Sequence, residues 1–187
     1  ISKLVVSSLS PSNMPYMNPK VLREFYATSG RSIVEGMYNF LKDLKQSKEY
    51  FSISTTDRDK FIIGKNIAAT PGYVIFENSI MQVIHYKPTT SKTFSTPLLM
   101  IPPWINKFYV FDLSPDNSFV KWLLDSNYSV FIISWINPDK NVRFKSFTDY
   151  AINGIQEAIE RILQSTNQSK INVMGYCISG TLLTACL

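Results

Sequence analysis

One cysteine of this chain lies in a sequence context that suits a reactive nucleophile. An apolar run leads into Gly-Tyr-Cys-Ile-Ser-Gly at 175–180, and a helical pattern follows. This order is typical of the nucleophile elbow, usually written G-x-S-x-G, with Cys177 in place of the serine. The turn is strained and crowds the positions two residues before and after the nucleophile, which suits Gly175 better than Ser179. We predict that Cys177 is a nucleophile, the alternative being a buried, inert small residue.

The elbow also predicts the electrostatic surroundings of Cys177. A helix that begins directly after the sulfur points backbone N–H groups and its positive dipole end at it, which stabilises a thiolate. The N–H of Ile178 is one expected oxyanion donor, and a second normally comes from a loop after an earlier strand. Here that loop is 102–107, with Trp104 and Ile105 as candidates. Because a thiol that attacks a thioester forms another thioester, the site favours acyl transfer over ester hydrolysis.

Strands and helices alternate around these residues. Continuous apolar runs predict three strands buried on both faces, which is typical of a parallel sheet; they lie at 97–101, 129–135 and 171–174. A further strand is predicted at 81–86. Helices are predicted from Asn117 to about Ser126, and from a cap at Thr148 to about Ser165, with Gly180 allowing close packing of the last helix on the sheet. The pattern indicates an α/β fold.

The first third of the chain has a helical pattern. Asn18-Pro19 predicts a helix start and Gly30 its end. A second helix is predicted over 32–48, because apolar residues recur at spacings of three and four. This apolar stripe consists of Ile33, Val34, Met37, Phe40, Leu41 and Leu44. Pro71-Gly72 is a turn signal. We expect a helical N-terminal region over 1–70 and the first part of an α/β domain over 71–187.

Composition excludes several classes of protein. Of the 187 residues, 45% are hydrophobic and 18% charged, which indicates a globular chain. The net charge is +5, but no basic run is interleaved with aromatics, so nucleic-acid binding is not expected. No apolar run reaches the ~18 residues of a membrane helix. Cys177 and Cys186 lack metal-ligand spacing and, without a signal peptide, fit a reducing cytosol. Cys186 is expected to be a structural helix residue.

Several motifs resemble those of the polyhydroxyalkanoate (poly-3-hydroxybutyrate) synthases. They are Pro-Pro-Trp-Ile-Asn-Lys-Phe-Tyr at 102–109, Phe-Asp-Leu at 111–113, Asn-Ser-Phe-Val at 117–120, Ser-Trp at 134–135, Asn-Pro-Asp at 137–139 and GKNIAATPG at 64–72. The segment 175–181 is similar to that family's G-x-C-x-G-G box, except that Ser179 replaces a glycine. The resemblance spans about 18–187. It implies the family's helical N-terminal region, followed by an incomplete parallel sheet of the α/β-hydrolase type.

The resemblance implies an acyltransferase. The family polymerises 3-hydroxyacyl-CoA into a polyester stored in cytoplasmic granules, so Cys177 would carry the growing chain as a thioester. It implies no metal and no cofactor besides the CoA thioester substrate. It also implies a homodimer or partner subunit, and contact with the granule surface in the cytoplasm. The family's catalytic Asp and His come after the Cys box, so we expect this chain to be an N-terminal portion, inactive and poorly soluble or dimeric by itself.

The role of the single histidine and the identity of the acyl acceptor remain to be considered. His85 is the only histidine and precedes the elbow, whereas such sites have the order nucleophile, acid, histidine, so we expect it to be structural. Two other functions stay open. One is a thioesterase or lipase that uses the same elbow with water as acceptor. The other is a non-catalytic, truncated piece that only binds granules or a partner.

Overall fold

A computed structural model describes residues 2–47 and 51–187 of the chain. It divides into two compact units, Ile1–Arg58 and Asp59–Leu187. The described part of the first unit is helical, and the second contains strands alternating with helices. The α/β class with a preceding helical region is therefore confirmed.

The boundary between the two units lies after Arg58, whereas the sequence analysis expected it after residue 70. The segment that follows Arg58 belongs to the second unit because it is bonded to Asp112, whose side chain is buried. The N–H of Ala68 donates to the Asp112 carbonyl at 2.9 Å. The N–H and hydroxyl of Thr70 donate to the two carboxylate oxygens at 3.1 and 2.7 Å. These bonds hold residues 68–70 against the rest of the second unit.

The described part of the first unit contains three α-helices, α1 (Ser2–Ser8), α2 (Pro19–Ala27) and α3 (Arg31–Gln46). Of these, α2 has a side-chain cap at its start and a glycine-containing cap at its end. As predicted, Asn18 caps α2, because its side chain accepts a hydrogen bond from the N–H of Lys20 at 2.9 Å. The N–H of Gly30 donates to the Phe25 carbonyl at 2.8 Å, which closes the helix in a Schellman motif.

The apolar stripe predicted for α3 is exposed to solvent. It occupies one face of the helix, and the exposed fraction of its side chains runs from 48% at Phe40 to 69% at Val34. On the same helix, Asp43 is buried and accepts a hydrogen bond from the N–H of Ser54 at 3.1 Å. Lys48, predicted to end this helix, lies outside the described residues. The amphipathic helix is thus present, with its apolar face accessible.

Five strands of the second unit form one mixed sheet in the order β1-β2-β6-β3-β7. Their bounds are β1 (Gly72–Glu77), β2 (Met81–Tyr86), β3 (Leu98–Ile101), β6 (Val130–Trp135) and β7 (Asn172–Gly175); β4 (Asp112–Ser114) and β5 (Asn117–Ser118) pair separately. Strands β6, β3 and β7 are parallel, as their continuous apolar runs predicted. However, β1 and β2 are antiparallel to each other, and β2 is antiparallel to β6. The expectation of a parallel sheet therefore holds for three strands only.

Strand β1 lies where the sequence predicted a turn. Gly72 opens this strand and pairs with Tyr86 of β2. A Cβ at Gly72 would lie 3.0 Å from the carbonyl oxygen of His85. The glycine therefore permits a close approach of two strands rather than a change of chain direction.

Different helices cover the two faces of the sheet. Their bounds are α4 (Phe119–Asp125), α5 (Phe147–Asp149), α6 (Glu157–Thr166) and α7 (Ile178–Cys186). On one face, Leu124 of α4 packs in a cluster with Met100 of β3. On the other, Ile162 of α6 and Leu182 of α7 belong to the cluster that contains Leu99. Neighbouring residues of β3 serve opposite faces, which explains why its sequence is continuously apolar.

Serine side chains cap the helices on both faces. The hydroxyl of Ser118 accepts a hydrogen bond from the N–H of Lys121 at 2.9 Å, and α4 begins there. Ser146 forms a capping box with Asp149: its hydroxyl accepts from the Asp149 N–H at 3.2 Å, and its own N–H donates to the carboxylate at 2.7 Å. The cap predicted at Thr148 is therefore wrong by two residues.

A π-helical segment, Tyr150–Gln156, connects α5 to α6. Its wider turn changes which side chains face the sheet compared with a regular α-helix. Ile155 and Ile162 are fully buried, as the apolar pattern predicted, whereas Ile152 is 50% exposed.

Candidate active site

The chain changes direction across the sheet at β3. From β3 it passes through α4 to β6 on one side, then through α6 to β7 on the other side of β3. In open α/β sheets, such a switch point leaves a crevice outside the carboxyl ends of the strands on either side of it. The loop after β3 and the turn after β7 therefore meet here. The N–H of Tyr176 donates to the Ile101 carbonyl at 3.1 Å, which joins them.

Cys177 has the backbone of a strained turn. Its φ is 57° and its ψ is −127°, and α7 begins at the next residue. A positive φ in a residue with a side chain costs about 1–3 kcal/mol and persists only where the surrounding structure enforces it. The thiol is free and the residue is exposed. The strand–turn–helix geometry of the predicted elbow is present, and the chemical role of the sulfur stays a prediction.

Gly175 makes this turn possible. A Cβ at Gly175 would lie 2.7 Å from the carbonyl oxygen of Ser179 and 2.8 Å from the Cα of Gly180. The expected crowding between the positions that flank Cys177 is therefore real. A Cβ at Gly180 would meet its nearest atom at 3.5 Å, an ordinary contact. The close approach that the sequence assigned to Gly180 thus depends on Gly175 instead.

The loop after β3 offers unused backbone donors. It forms a turn in which the N–H of Asn106 donates to the Pro103 carbonyl at 3.0 Å. Trp104 and Ile105 are the central residues of this turn, whose N–H groups the turn itself does not use. Among the residues that the structure describes, no acceptor is found for the N–H groups of Trp104, Ile105 or Ile178. None of the three expected donors thus has a recorded backbone acceptor, and their assignment as oxyanion donors stays a prediction.

The elbow helix is bonded to this loop through the carbonyl oxygen of Pro102. The hydroxyl of Ser179 donates to it at 2.8 Å. The indole N–H of Trp135, at the end of β6, donates to the same oxygen at 2.7 Å. Both side chains are buried, and Ser179 is completely so. The sequence marked Ser179 only as a departure from a glycine pattern; no local signal relates it to a residue 77 positions earlier.

Aromatic side chains pack at the same edge of the sheet. The ring of Tyr150, at the start of the π-helical segment, lies 5.4 Å from that of Trp104 and 5.3 Å from that of Trp135. A Cβ at Gly154 would lie 2.7 Å from Cη2 of Trp135. The π-helical segment therefore holds the indole of Trp135 closely. Of these residues, the sequence analysis assigned only Trp104 to the site.

His85 lies far from the elbow. It pairs with Phe131 of β6, which is level with Leu99 of β3. Leu99 is in turn level with Val173 of β7, four residues before Cys177. At about 3.3 Å per residue and about 4.8 Å between strands, His85 is about 13 Å away along the strands and about 14 Å across three strand spacings. It is therefore not placed to accept a proton from Cys177.

The contacts of His85 agree with the structural role expected for it. Its Nδ1 is 2.8 Å from the hydroxyl of Tyr73, and its ring stacks on Phe131 with centroids 4.0 Å apart. Burial lowers the pKa of this histidine. Burial also raises the pKa of Cys186, whose sulfur is 3.9 Å from the Ala151 carbonyl oxygen, which suits an unreactive helix residue.

Within 2–47 and 51–187, no group of three or more His, Cys, Asp or Glu is arranged to hold a metal ion. None of the helices described there has both the length and the apolar character needed to cross a bilayer.

Known proteins resemble this chain over most of its length. Residues 1–123 match the family described as poly-beta-hydroxybutyrate polymerase (PhaC) N-terminus. The poly(3-hydroxyalkanoate) polymerase subunit PhaC of Rhizobium meliloti is 45% identical over 98% of this chain and 30% of its own length. The polymerase of Methylorubrum extorquens is 41% identical over 98% and 30%, and the PhaC subunit of Cupriavidus necator 39% over 97% and 30%.

The sequence matches cover nearly the whole chain but only part of each relative. The chain spans about 30% of the length of these relatives. Among solved structures, epoxide hydrolase A of Mycobacterium thermoresistibile aligns with 63% of this chain and 34% of its own at a TM-score of 0.42 and 11% identity, a likeness too loose to add to the topology above. The family match over residues 1–123 is decisive: the chain belongs to the poly-beta-hydroxybutyrate polymerase (PhaC) family.

Proposed function

We propose that this chain supplies Cys177 as the nucleophile of an acyltransferase that polymerises 3-hydroxyacyl-CoA into polyhydroxyalkanoate. The observation that supports this most is the strained backbone of Cys177, exposed at the start of α7 and opposite the loop after β3. The polymer is suggested by the relatives, which are named poly(3-hydroxyalkanoate) polymerases. As in the sequence analysis, no metal or further cofactor belongs to the proposal.

The first step exchanges one thioester for another. The sulfur of Cys177 attacks the carbonyl carbon of 3-hydroxyacyl-CoA, and the carbonyl oxygen becomes an oxyanion. The N–H of Ile178, with that of Trp104 or Ile105, donates to this oxygen. The bond to the CoA sulfur then breaks, and the proton lost by the Cys177 thiol ends on the departing CoA. Because both sides carry a thioester, the exchange is nearly neutral in free energy.

The second step forms the ester bond of the polymer. A 3-hydroxyl oxygen attacks an acyl thioester carbonyl, and the hydroxyl proton passes to the departing sulfur. Both steps need a base, and among the described residues no histidine or carboxylate is hydrogen-bonded to Cys177. We assign this role to the Asp and His that the resemblance places after the Cys box.

The same proposal includes where the enzyme acts. It works in the cytoplasm at the polyester granule, as a homodimer or with a partner subunit. The exposed apolar face of α3 is one part of the first unit whose chemistry suits an apolar surface.

Acylation of Cys177 tests the proposal. The full-length protein is incubated with 3-hydroxybutyryl-CoA, and acyl adducts are read by intact mass. We expect an adduct that Cys177→Ala removes and that the control Cys186→Ala retains. Labelling that survives Cys177→Ala would contradict the assignment. Product analysis then separates a polymerase, which yields polyester, from a thioesterase or lipase, which yields the free acid.

A further inference from the structure

The loop that carries the proposed oxyanion donors has few ways to be held in place. It begins with Pro102-Pro103, and proline has no backbone N–H to donate. Because the Pro103 carbonyl accepts the N–H of Asn106 within the turn, the Pro102 carbonyl is the backbone group that joins the start of this loop to other elements. It accepts two hydrogen bonds in the structure, from Ser179 at 2.8 Å and from Trp135 at 2.7 Å.

These two donors lie at or just beyond the ends of β6 and β7, the two strands on either side of β3. Trp135 ends β6, and Ser179 lies in the first turn of α7, which follows β7. The hydrogen bond from Trp135 joins the loop to the sheet. The hydrogen bond from Ser179 joins the loop directly to the turn that contains Cys177. Ser179 is thus the side chain that couples the position of the loop to that of the sulfur.

We infer that Ser179 is a positioning residue for the acyl transfer, an inference that rests on the proposed function. Its hydroxyl holds the Pro102 carbonyl so that the N–H of Trp104 or Ile105 lies at hydrogen-bond distance from the oxyanion formed on the carbon attacked by Cys177. A glycine in this place, as in the G-x-C-x-G-G pattern, has no hydroxyl and leaves the loop to other contacts. This chain therefore uses a direct bond between its elbow and its oxyanion loop.

Because the Pro102 carbonyl has two donors, the positioning role of Ser179 can be tested without a large loss of stability. When Ser179 is replaced by alanine, the Pro102 carbonyl still accepts the indole N–H of Trp135, so no buried polar group is left unpaired. The smaller side chain also adds no atom to the crowded turn. Loss of the hydroxyl should thus change the freedom of the loop more than the fold.

The test compares two reactions of the same sulfur in the full-length protein. Acylation by 3-hydroxybutyryl-CoA passes through an oxyanion, whereas alkylation by iodoacetamide displaces iodide and forms none. Thr184→Ala is the matched control, because Thr184 is an exposed hydroxyl of the same helix that donates to the Gly180 carbonyl at 2.9 Å. Ser179→Gly is a second variant without the hydroxyl, and Trp135→Phe removes the other donor.

We expect Ser179→Ala and Ser179→Gly to slow acylation about tenfold, less than the 10²–10³-fold typical of deleting an oxyanion donor itself. Alkylation rates should change less than twofold, and Thr184→Ala should change neither reaction. Combined with Trp135→Phe, the loss in acylation should exceed that of either change alone, because the carbonyl then has no donor.

Three outcomes would overturn the inference. Acylation unchanged in both Ser179 variants would show that the hydroxyl positions nothing. Equal loss of acylation and alkylation would indicate a disturbed elbow instead of a displaced loop. Failure of the unaltered protein to acylate Cys177 at all would overturn the proposed function and this inference with it, and the three results are distinguishable.

Discussion

Two glycines follow one another closely around Cys177, and the structure gives them unequal importance. Gly175→Ala places a Cβ against the backbone of Ser179 and Gly180, so we expect a loss of about 1–3 kcal/mol in the free energy of unfolding. Gly180→Ala adds a methyl group whose nearest neighbour lies at an ordinary van der Waals distance of 3.5 Å. Within a helix, alanine is more stable than glycine by about 1 kcal/mol, so this variant should lose no stability. Urea denaturation of both variants measures the difference. Equal destabilisation would contradict the crowding argument.

His85 should make stability depend on pH. Burial lowers its pKa in the folded chain, so the unfolded chain binds the proton more readily as the pH falls through the ordinary value of 6.5. The free energy of unfolding should therefore decrease from about pH 8 to about pH 6. His85→Gln removes the titrating group and should flatten this part of the curve. The comparison needs urea titrations of both proteins at each pH, and parallel curves would refute the assignment.

At the scale of the element, the helix between β6 and β7 offers a test between sequence and structure. Ser146 forms the capping box with Asp149, whereas Thr148, the cap predicted from sequence, is exposed and within the helix. Ser146→Ala should cost about 1 kcal/mol in unfolding free energy, the usual value of an N-cap. Thr148→Ala should leave stability nearly unchanged. Thermal or urea unfolding of the pair decides the matter, and the reverse order would favour the sequence prediction.

Some elements were predictable because their sequence records their burial directly. Strands β3 and β6 are buried at nearly every position, so their sequences are almost wholly apolar and the runs are easy to find. Strand β7 is only half-buried and begins at the exposed Asn172, so its run is shorter. Strand β1 was missed: it lies at the end of the sheet, largely exposed, and begins at a Gly72 that also suits a turn. The π-helical segment depends on the contact of Gly154 with Trp135, which local periodicity does not contain.

The candidate site also has a part that could be predicted from the sequence and a part that could not. Cys177 and its neighbours were found because the elbow is one short segment whose spacing has a steric reason. The bond from Ser179 to Pro102 was not, because it exists only when strands distant in sequence become neighbours. The local geometry of the elbow could thus be predicted from the sequence, whereas the hydrogen bonds that support it depend on the topology.

For the whole molecule, the exposed face of α3 predicts association. Apolar patches of this kind usually mark interaction surfaces. We expect the chain to self-associate, and the double variant Val34→Glu/Met37→Glu to shift sedimentation velocity profiles towards the monomer. Asn39→Glu on the same exposed helix is the control for added charge and should have little effect. Profiles that respond equally to both changes would show that charge, not the apolar face, governs association.

The order of the strands along the chain also determines when the two halves of the candidate site are synthesised. Strand β7 is the last strand in the chain and lies at one end of the described sheet, paired with β3 alone. The Pro102 loop is therefore synthesised well before its partner, because Ser179 follows Pro102 by 77 positions in the sequence. At about 5–20 residues per second, a ribosome needs about 4–15 s to cover that distance. During that interval the nascent chain contains the loop with the proposed oxyanion donors but not yet Cys177, the proposed nucleophile, so on the proposed mechanism it has no sulfur at this site with which to capture an acyl group.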